Sequence, residues 1–152
     1  IDLIVAMLGR PGKITPILKT TLGLAGDIKN NCLAILDYPH ATVTLRACSM
    51  EVDGSNNRRL KVCGTKGTID LCPLERFDGK PLTMRLTLSE GRGEYPAGTH
   101  TIDLGVHTDR YQDQFSEFAK IINGEMKNPY TYGHDMLVEE VVLAASGYMK
   151  WE

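Results

Sequence analysis

The chain has 152 residues, 17 basic against 19 acidic, a formal net charge of -2 and 42% hydrophobic content. That length suits one domain burying roughly two thirds of its unfolded surface, an ordinary core that needs no staples. The near-neutral balance argues against nucleic acid or an acidic membrane as partner, since either needs a concentrated positive field.

The dense basic spots, Arg58, Arg59 and Lys61, suit a solvated strand end. No apolar run approaches the ~20 residues of a membrane span, and no signal peptide is read, so the expected compartment is the cytoplasm.

In chain order, Ile1, Ile4, Val5 and Leu8 share one helical face, and Gly9 followed by Pro11 stops the helix. The helix has an end but no capped beginning, which suggests a domain excised from a larger protein, here residues 1–152 as one unit. Lys13 to Leu22 reads as a strand, with Pro16 favouring an edge position, and a mobile Gly-rich link is expected from Gly23 to Asn31. Cys32 to Tyr38 and Ala41 to Val52 form a hairpin around Pro39-His40. Its second strand places Val43, Leu45 and Ala47 on one face and Thr42, Thr44, Arg46, Cys48 and Met50 on the other. Asp53 to Asn57 is turn chemistry.

The stretch that organises the rest is the hairpin Arg59 to Cys63 and Thr68 to Cys72, joined at Gly64-Thr65-Lys66-Gly67 and expected in the middle of the sheet. After a polar crossing from Pro73 to Lys80, Leu82, Met84, Leu86 and Leu88 alternate with Thr83, Arg85, Thr87 and Ser89. A glycine-containing tip precedes a last strand, Thr99 to Leu104. Asp109 with Gln112 makes a capping box for a helix whose stripe is Tyr111, Phe115, Phe118, Ala119 and Ile122, closed by Gly124. A second helix starts near Thr131 and runs through Leu137, Val141, Ala144, Ala145 and Tyr148. The fold class is therefore α+β: an open antiparallel sheet of about six strands with helices packed on one face, both stripes seated on the apolar side. The other face, mixing Thr, Arg, Cys and Met, is expected to be solvated or to join subunits into a homo-oligomer.

Candidate chemistry is sparse. Cys32, Cys48, Cys63 and Cys72 contain no Cys-x-x-Cys pair and are read as reduced thiols, so neither a zinc ribbon nor a redox motif is present. None has a neighbouring base, which leaves a cysteine hydrolase far behind. His40, His100, His107 and His134 form no ligand pair, and no metal site is expected. His107, Asp109, Arg110 and Tyr111 make a polar cluster at a helix start, suited to an anionic or hydroxylated ligand, although capping alone explains it. Gly64 to Thr68 has the residue types of a phosphate loop but not their order, and no Gly-x-Gly-x-x-Gly lies between a strand and a helix.

Four stretches together carry a resemblance: Ile1-Asp2-Leu3-Ile4 with Leu8-Gly9-Arg10-Pro11; Arg58 through Ile69; Asp109-Arg110-Tyr111 with Gln114-Phe115 and Phe118-Ala119; and Glu139 through Gly147. In this order they resemble the C-terminal domain of the Gfo/Idh/MocA oxidoreductases, the glucose-fructose oxidoreductase and inositol dehydrogenase relatives. The resemblance implies a parent chain with its own N-terminal Rossmann domain binding NAD or NADP. It also implies a sheet domain that helps form the substrate site and the homo-oligomer, and a sugar, cyclitol or related polyol as substrate. The family's Glu-Lys-Pro lysine and its proton-transferring histidine match no residue of this chain, so the isolated domain is expected to bind no cofactor and to catalyse nothing. Arg46, Arg110 and Tyr111 are the expected substrate-side groups, with a salt bridge or packing as the alternative role for each. The competing reading is a non-enzymatic module that dimerises through its open sheet face.

Overall fold

The computed structural model describes residues 1–21 and 26–152. They form two compact units, one of Ile1–Glu51 with Asn128–Glu152 and one of Val52–Lys127. The class is α+β, with seven antiparallel strands in two open sheets and four helices among the described residues.

In the first unit, α1 (Asp2–Leu8) ends where Gly9 takes a left-handed φ of 71°, a conformation that costs glycine nothing. β1 (Lys13–Lys19), β2 (Asn31–Tyr38) and β3 (Ala41–Cys48) pair in that order, so β1 is the edge strand that Pro16 favours. Of the Gly-rich link, residues 23–25 lie outside the described residues, as does Leu22, and β1 has already ended at Lys19. The hairpin turns at Pro39-His40 and sets Leu36 opposite Val43, with Ile14 opposite Leu36 on its other side.

Ile14, Leu36 and Val43 thus share one face, and helices cover it. α4 (Tyr132–Ala145) contributes Val141 and Ala144, α1 contributes Ile4 and Val5, and Leu36 and Val141 are each 0% exposed. Each such leucine, isoleucine or valine stabilises the fold by about 1.5–3 kcal/mol through lost contact with water. Thr131 starts α4 by accepting the His134 N–H at 3.2 Å, a one-sided cap. Polar ties close the rim: the Tyr38 hydroxyl donates to the Gly9 carbonyl at 3.2 Å, and the Trp151 indole donates to the Pro11 carbonyl at 3.0 Å. The Arg10 guanidinium lies 4.2 Å over the Trp151 ring and reaches Glu140 at 2.6 Å.

The second unit opens with α2 (Gly54–Asn57), one helical turn entered through Asp53 at a left-handed φ of 57°. β4 (Leu60–Cys63), β5 (Gly67–Leu71), β6 (Thr83–Leu88) and β7 (Gly98–Asp103) follow as a four-stranded meander. The Gly64–Gly67 hairpin is present, closed by the Gly64 N–H on the Gly67 carbonyl at 2.8 Å, but it opens this sheet at its edge instead of standing in the middle of a single sheet. β3 and β4 belong to different sheets, and eleven residues, 49–59, with the α2 turn among them, separate the two along the chain. Gly67 has a packing reason. A Cβ there would lie 2.7 Å from the Thr87 carbonyl and 2.9 Å from the Leu88 side chain, closer than atoms tolerate.

Val62, Ile69 and Leu86 share a row on the apolar face, as do Leu71, Met84 and Ile102, and all are half-buried. The buried apolar residues of this unit are Leu82 and Leu88. α3 (Gln112–Ile122) departs from the expectation that its stripe covers a sheet. None of its residues is buried, and Phe115 is 70% exposed, Phe118 60% and Ile122 68%. The physical reason lies at its start, which is tied to the crossing between β5 and β6 and not to the sheet's apolar face.

All four cysteines are free thiols. Among the described residues, no helix is long and apolar enough to cross a membrane.

Candidate functional site

Arg46 stands on β3, exposed, on the sheet face opposite Leu45 and Val43. With Leu18, Cys32, Leu33, Leu45 and Tyr148 it lines a largely apolar groove of about 720 Å³ in the first unit. Arg110 and Tyr111 belong to the second unit, at the entry to α3. The structure therefore brings Arg110 and Tyr111 into one cluster, while Arg46 belongs to another.

The cluster begins with Asp109. Its carboxylate accepts the N–H groups of Tyr111 at 2.7 Å and Gln112 at 2.9 Å, satisfying donors that a helix start leaves open. The reciprocal half of the expected capping box is replaced: the Gln112 side chain accepts from the Thr108 hydroxyl at 3.4 Å. This cap aims Arg110 at Glu75. Its Nε donates to Oε2 at 2.8 Å, and its Nη2 donates to Oε1, a two-pronged grip that fixes the guanidinium plane. Arg58 donates to the same Oε1, and its carbonyl accepts the Leu74 N–H at 2.7 Å, holding the two segments in register. The Arg110 guanidinium lies 5.7 Å from the Phe77 ring centre and 6.0 Å from that of Tyr111, within reach of both π faces. Tyr111 and then Glu75 raise the Arg110 guanidinium above its ordinary value, so it remains a cation at every working pH.

Two guanidiniums share the Glu75 carboxylate, and with Asp109 counted the cluster has no net charge; its remaining N–H donors stand beside two half-open rings. This arrangement can donate hydrogen bonds to an anionic or hydroxylated molecule and offer it a flat apolar wall. No histidine ring is seen paired with it: His107 is half-buried two residues before Asp109, while the ring of His100 meets the Pro96 carbonyl at 2.8 Å and that of His134 meets Asp2 at 2.7 Å. Among the described residues, no three His, Cys, Asp or Glu side chains come together as metal ligands.

Glu75, Phe77 and Arg58 are the members that sequence reasoning missed. Arg58 reads as a solvated strand end, yet its guanidinium is paired. The available signal was the crossing itself, where Glu75-Arg76-Phe77-Asp78 sets an aromatic among alternating charges.

No family model matches the chain, and no curated protein matches its sequence. Its fold is similar to those of three provisionally named oxidoreductases. YvaA of Bacillus subtilis superposes with a TM-score of 0.67 at 17% identity, over 99% of this chain and 47% of its own. YPO2259 of Yersinia pestis gives 0.61 at 16% identity, over 98% and 46%. A protein of Klebsiella pneumoniae gives 0.61 at 18% identity, over 97% and 46%. The chain thus spans about half the length of the solved structures it matches.

Proposed function

We propose that this chain is the substrate-binding and subunit-assembly part of a longer NAD(P)-dependent oxidoreductase of the Gfo/Idh/MocA type, acting on a sugar, cyclitol or related polyol. The observation that carries the reading is coverage: nearly the whole chain superposes on just under half of each of three provisionally named oxidoreductases. The residue stretches from Ile1 to Gly147 that resemble the family support it independently of the fold. In this reading the substrate meets walls and hydrogen-bond donors from this chain, with Arg110 and Tyr111 as the candidate substrate-side groups of the second unit and Arg46 as a separate candidate in the first. The residues present do not fit a dinucleotide. Among the described residues every strand pairing is antiparallel, and the sequence has no Gly-x-Gly-x-x-Gly, so no chemical step is assigned to this chain.

Fluorescence titration of NADH and NADPH into this chain and into the whole protein encoded by its gene tests the reading. Binding by the whole protein alone is the expected result, and a panel of sugars and cyclitols then gives turnover. Absence of binding by both sinks it. The exposed stripe of α3 favours a second reading, a non-enzymatic module that dimerises; its mark is concentration-dependent sedimentation without nucleotide binding.

A further inference from the structure

The polar face of the second sheet carries a charged cluster separate from that of Arg110. Its centre is Asp70 on β5, whose side chain is 7% exposed. Arg59 grips both carboxylate oxygens, with Nε donating to Oδ1 at 2.6 Å and Nη2 to Oδ2, and the Arg85 Nη2 donates to Oδ2 at 2.8 Å. Strand register places Lys61, Asp70, Arg85 and Thr101 in one row across β4, β5, β6 and β7. The next row on the same face is Cys63, Thr68, Thr87 and Thr99, in which the Thr87 and Thr99 hydroxyls meet at 3.1 Å. Neighbours across such a row stand about 5 Å apart at Cβ, so Lys61 and Arg85 flank Asp70 closely.

A buried carboxylate is a poor device for stability, because desolvation consumes much of what its partners return, and apolar residues often hold a sheet as well. What it supplies is orientation. Of the five N–H donors on each guanidinium, Arg59 commits two to Asp70 and Arg85 one, while the side chains stay 50% and 60% exposed. The rest belong to planes already fixed by Asp70. Lys61 has no ion pair among the described residues, so with Arg59, which precedes β4, three cations surround one carboxylate and leave the cluster positive. By register a further acid on this face is Asp103, opposite Thr83, whose Oδ1 accepts the Gly105 N–H at 2.8 Å.

We propose that this row is an oxyanion-binding platform that takes the phosphate monoester of a small hydroxylated molecule across Arg59, Arg85 and Lys61. Fixed guanidinium forks match tetrahedral oxyanions, and the ammonium adds a point charge. The threonine hydroxyls of the two rows meet the hydroxyls of the ligand. The proposal does not depend on the oxidoreductase reading, since it concerns binding by this chain alone.

The test titrates inorganic phosphate and glycerol 3-phosphate into nitrogen-15-labelled protein and follows amide and arginine Nε resonances. The expected result is saturable shifts at Lys61, Thr68, Arg85 and Thr101, with dissociation constants on the order of 1 mM. Arg85→Gln weakens binding about tenfold and Lys61→Gln a few-fold, as the loss of a charge-assisted contact implies. Lys61→Gln keeps the test decisive if Arg85→Gln fails to fold, because Lys61 takes no part in the Asp70 grip. Shifts that rise linearly without saturation, or equal affinity in wild type and Lys61→Gln, overturn the proposal. Equal affinity for phosphate and its glycerol ester overturns the part played by the threonines. Self-association through this face that phosphate does not compete with also overturns it.

Discussion

The two units are made of the same parts, an antiparallel sheet and amphipathic helices, and finish differently. In the first, α1 and α4 seat their apolar residues on the sheet, and Leu36 and Val141 lose all contact with water. In the second, the apolar sheet face stays half-buried, and the α3 stripe of Phe115, Phe118 and Ile122 is open. An apolar stripe is a capacity for packing, and what realises it is a chain path that delivers the helix to a sheet. The stability of the first unit comes from its core. The second unit leaves its surfaces, and the side chains of Arg59, Arg85 and Arg110 among them, about half exposed.

Emptying the first core is the strongest way to break the contrast. Leu36→Ala is expected to cost about 2–5 kcal/mol, since a fully enclosed site collapses poorly around the cavity. Leu86→Ala, at a half-exposed position, is expected to cost about 1 kcal/mol. Urea unfolding reads both as shifts in midpoint at constant slope. Equal costs would mean that the second sheet is as enclosed as the first.

Acid sharpens the comparison from the other side. Hydrogen bonds from Arg59 first, and then from Arg85, lower the Asp70 carboxyl to about 2. An unfolded aspartate titrates near ~3.9, so between those values the unfolded chain binds the extra proton. The contribution of Asp70 is therefore complete above the unfolded value and is lost as pH falls through about 2. In Asp70→Asn this share of the acid dependence disappears, measured as a flatter urea midpoint between about pH 4 and pH 2. An unchanged slope would show that the two arginines do not hold Asp70 in solution.

Smaller effects are expected at the rims. Arg10→Ala removes a ring contact and an exposed ion pair and should lower stability by about 1 kcal/mol, read in the first unit. Phe118→Ser on α3 should change stability by less than about 0.5 kcal/mol, and α3 amides should exchange with solvent well ahead of those of β2. A loss of about 2 kcal/mol for Phe118→Ser would mean that the stripe finds a partner surface in solution, closing the gap between the units.

Local signals carried far in this chain. Pro39-His40 and Gly64 to Gly67 mark their hairpins because turn chemistry lies within four residues, and Thr131, Gly9 and Gly124 mark helix ends for the same reason. Alternation along β3 and β6 foretold which residues share a face. Arg110 and Tyr111 were visible as a polar helix start, but their partners were not. Glu75 is thirty-five positions from Arg110, and nothing in either neighbourhood names the other. The Asp70 grip was hidden likewise, since Asp70, Arg59 and Arg85 meet only through register across three strands.

The amino-acid order by itself determined the elements, their faces and the antiparallel class, because periodicity and turn residues act over a few positions. Tertiary structure alone decided that the strands divide into two sheets, that α4 is covered while α3 is open, and which arginine meets which carboxylate. Those outcomes depend on where a distant segment arrives, and that is fixed by the balance of packing and chain path across the whole molecule.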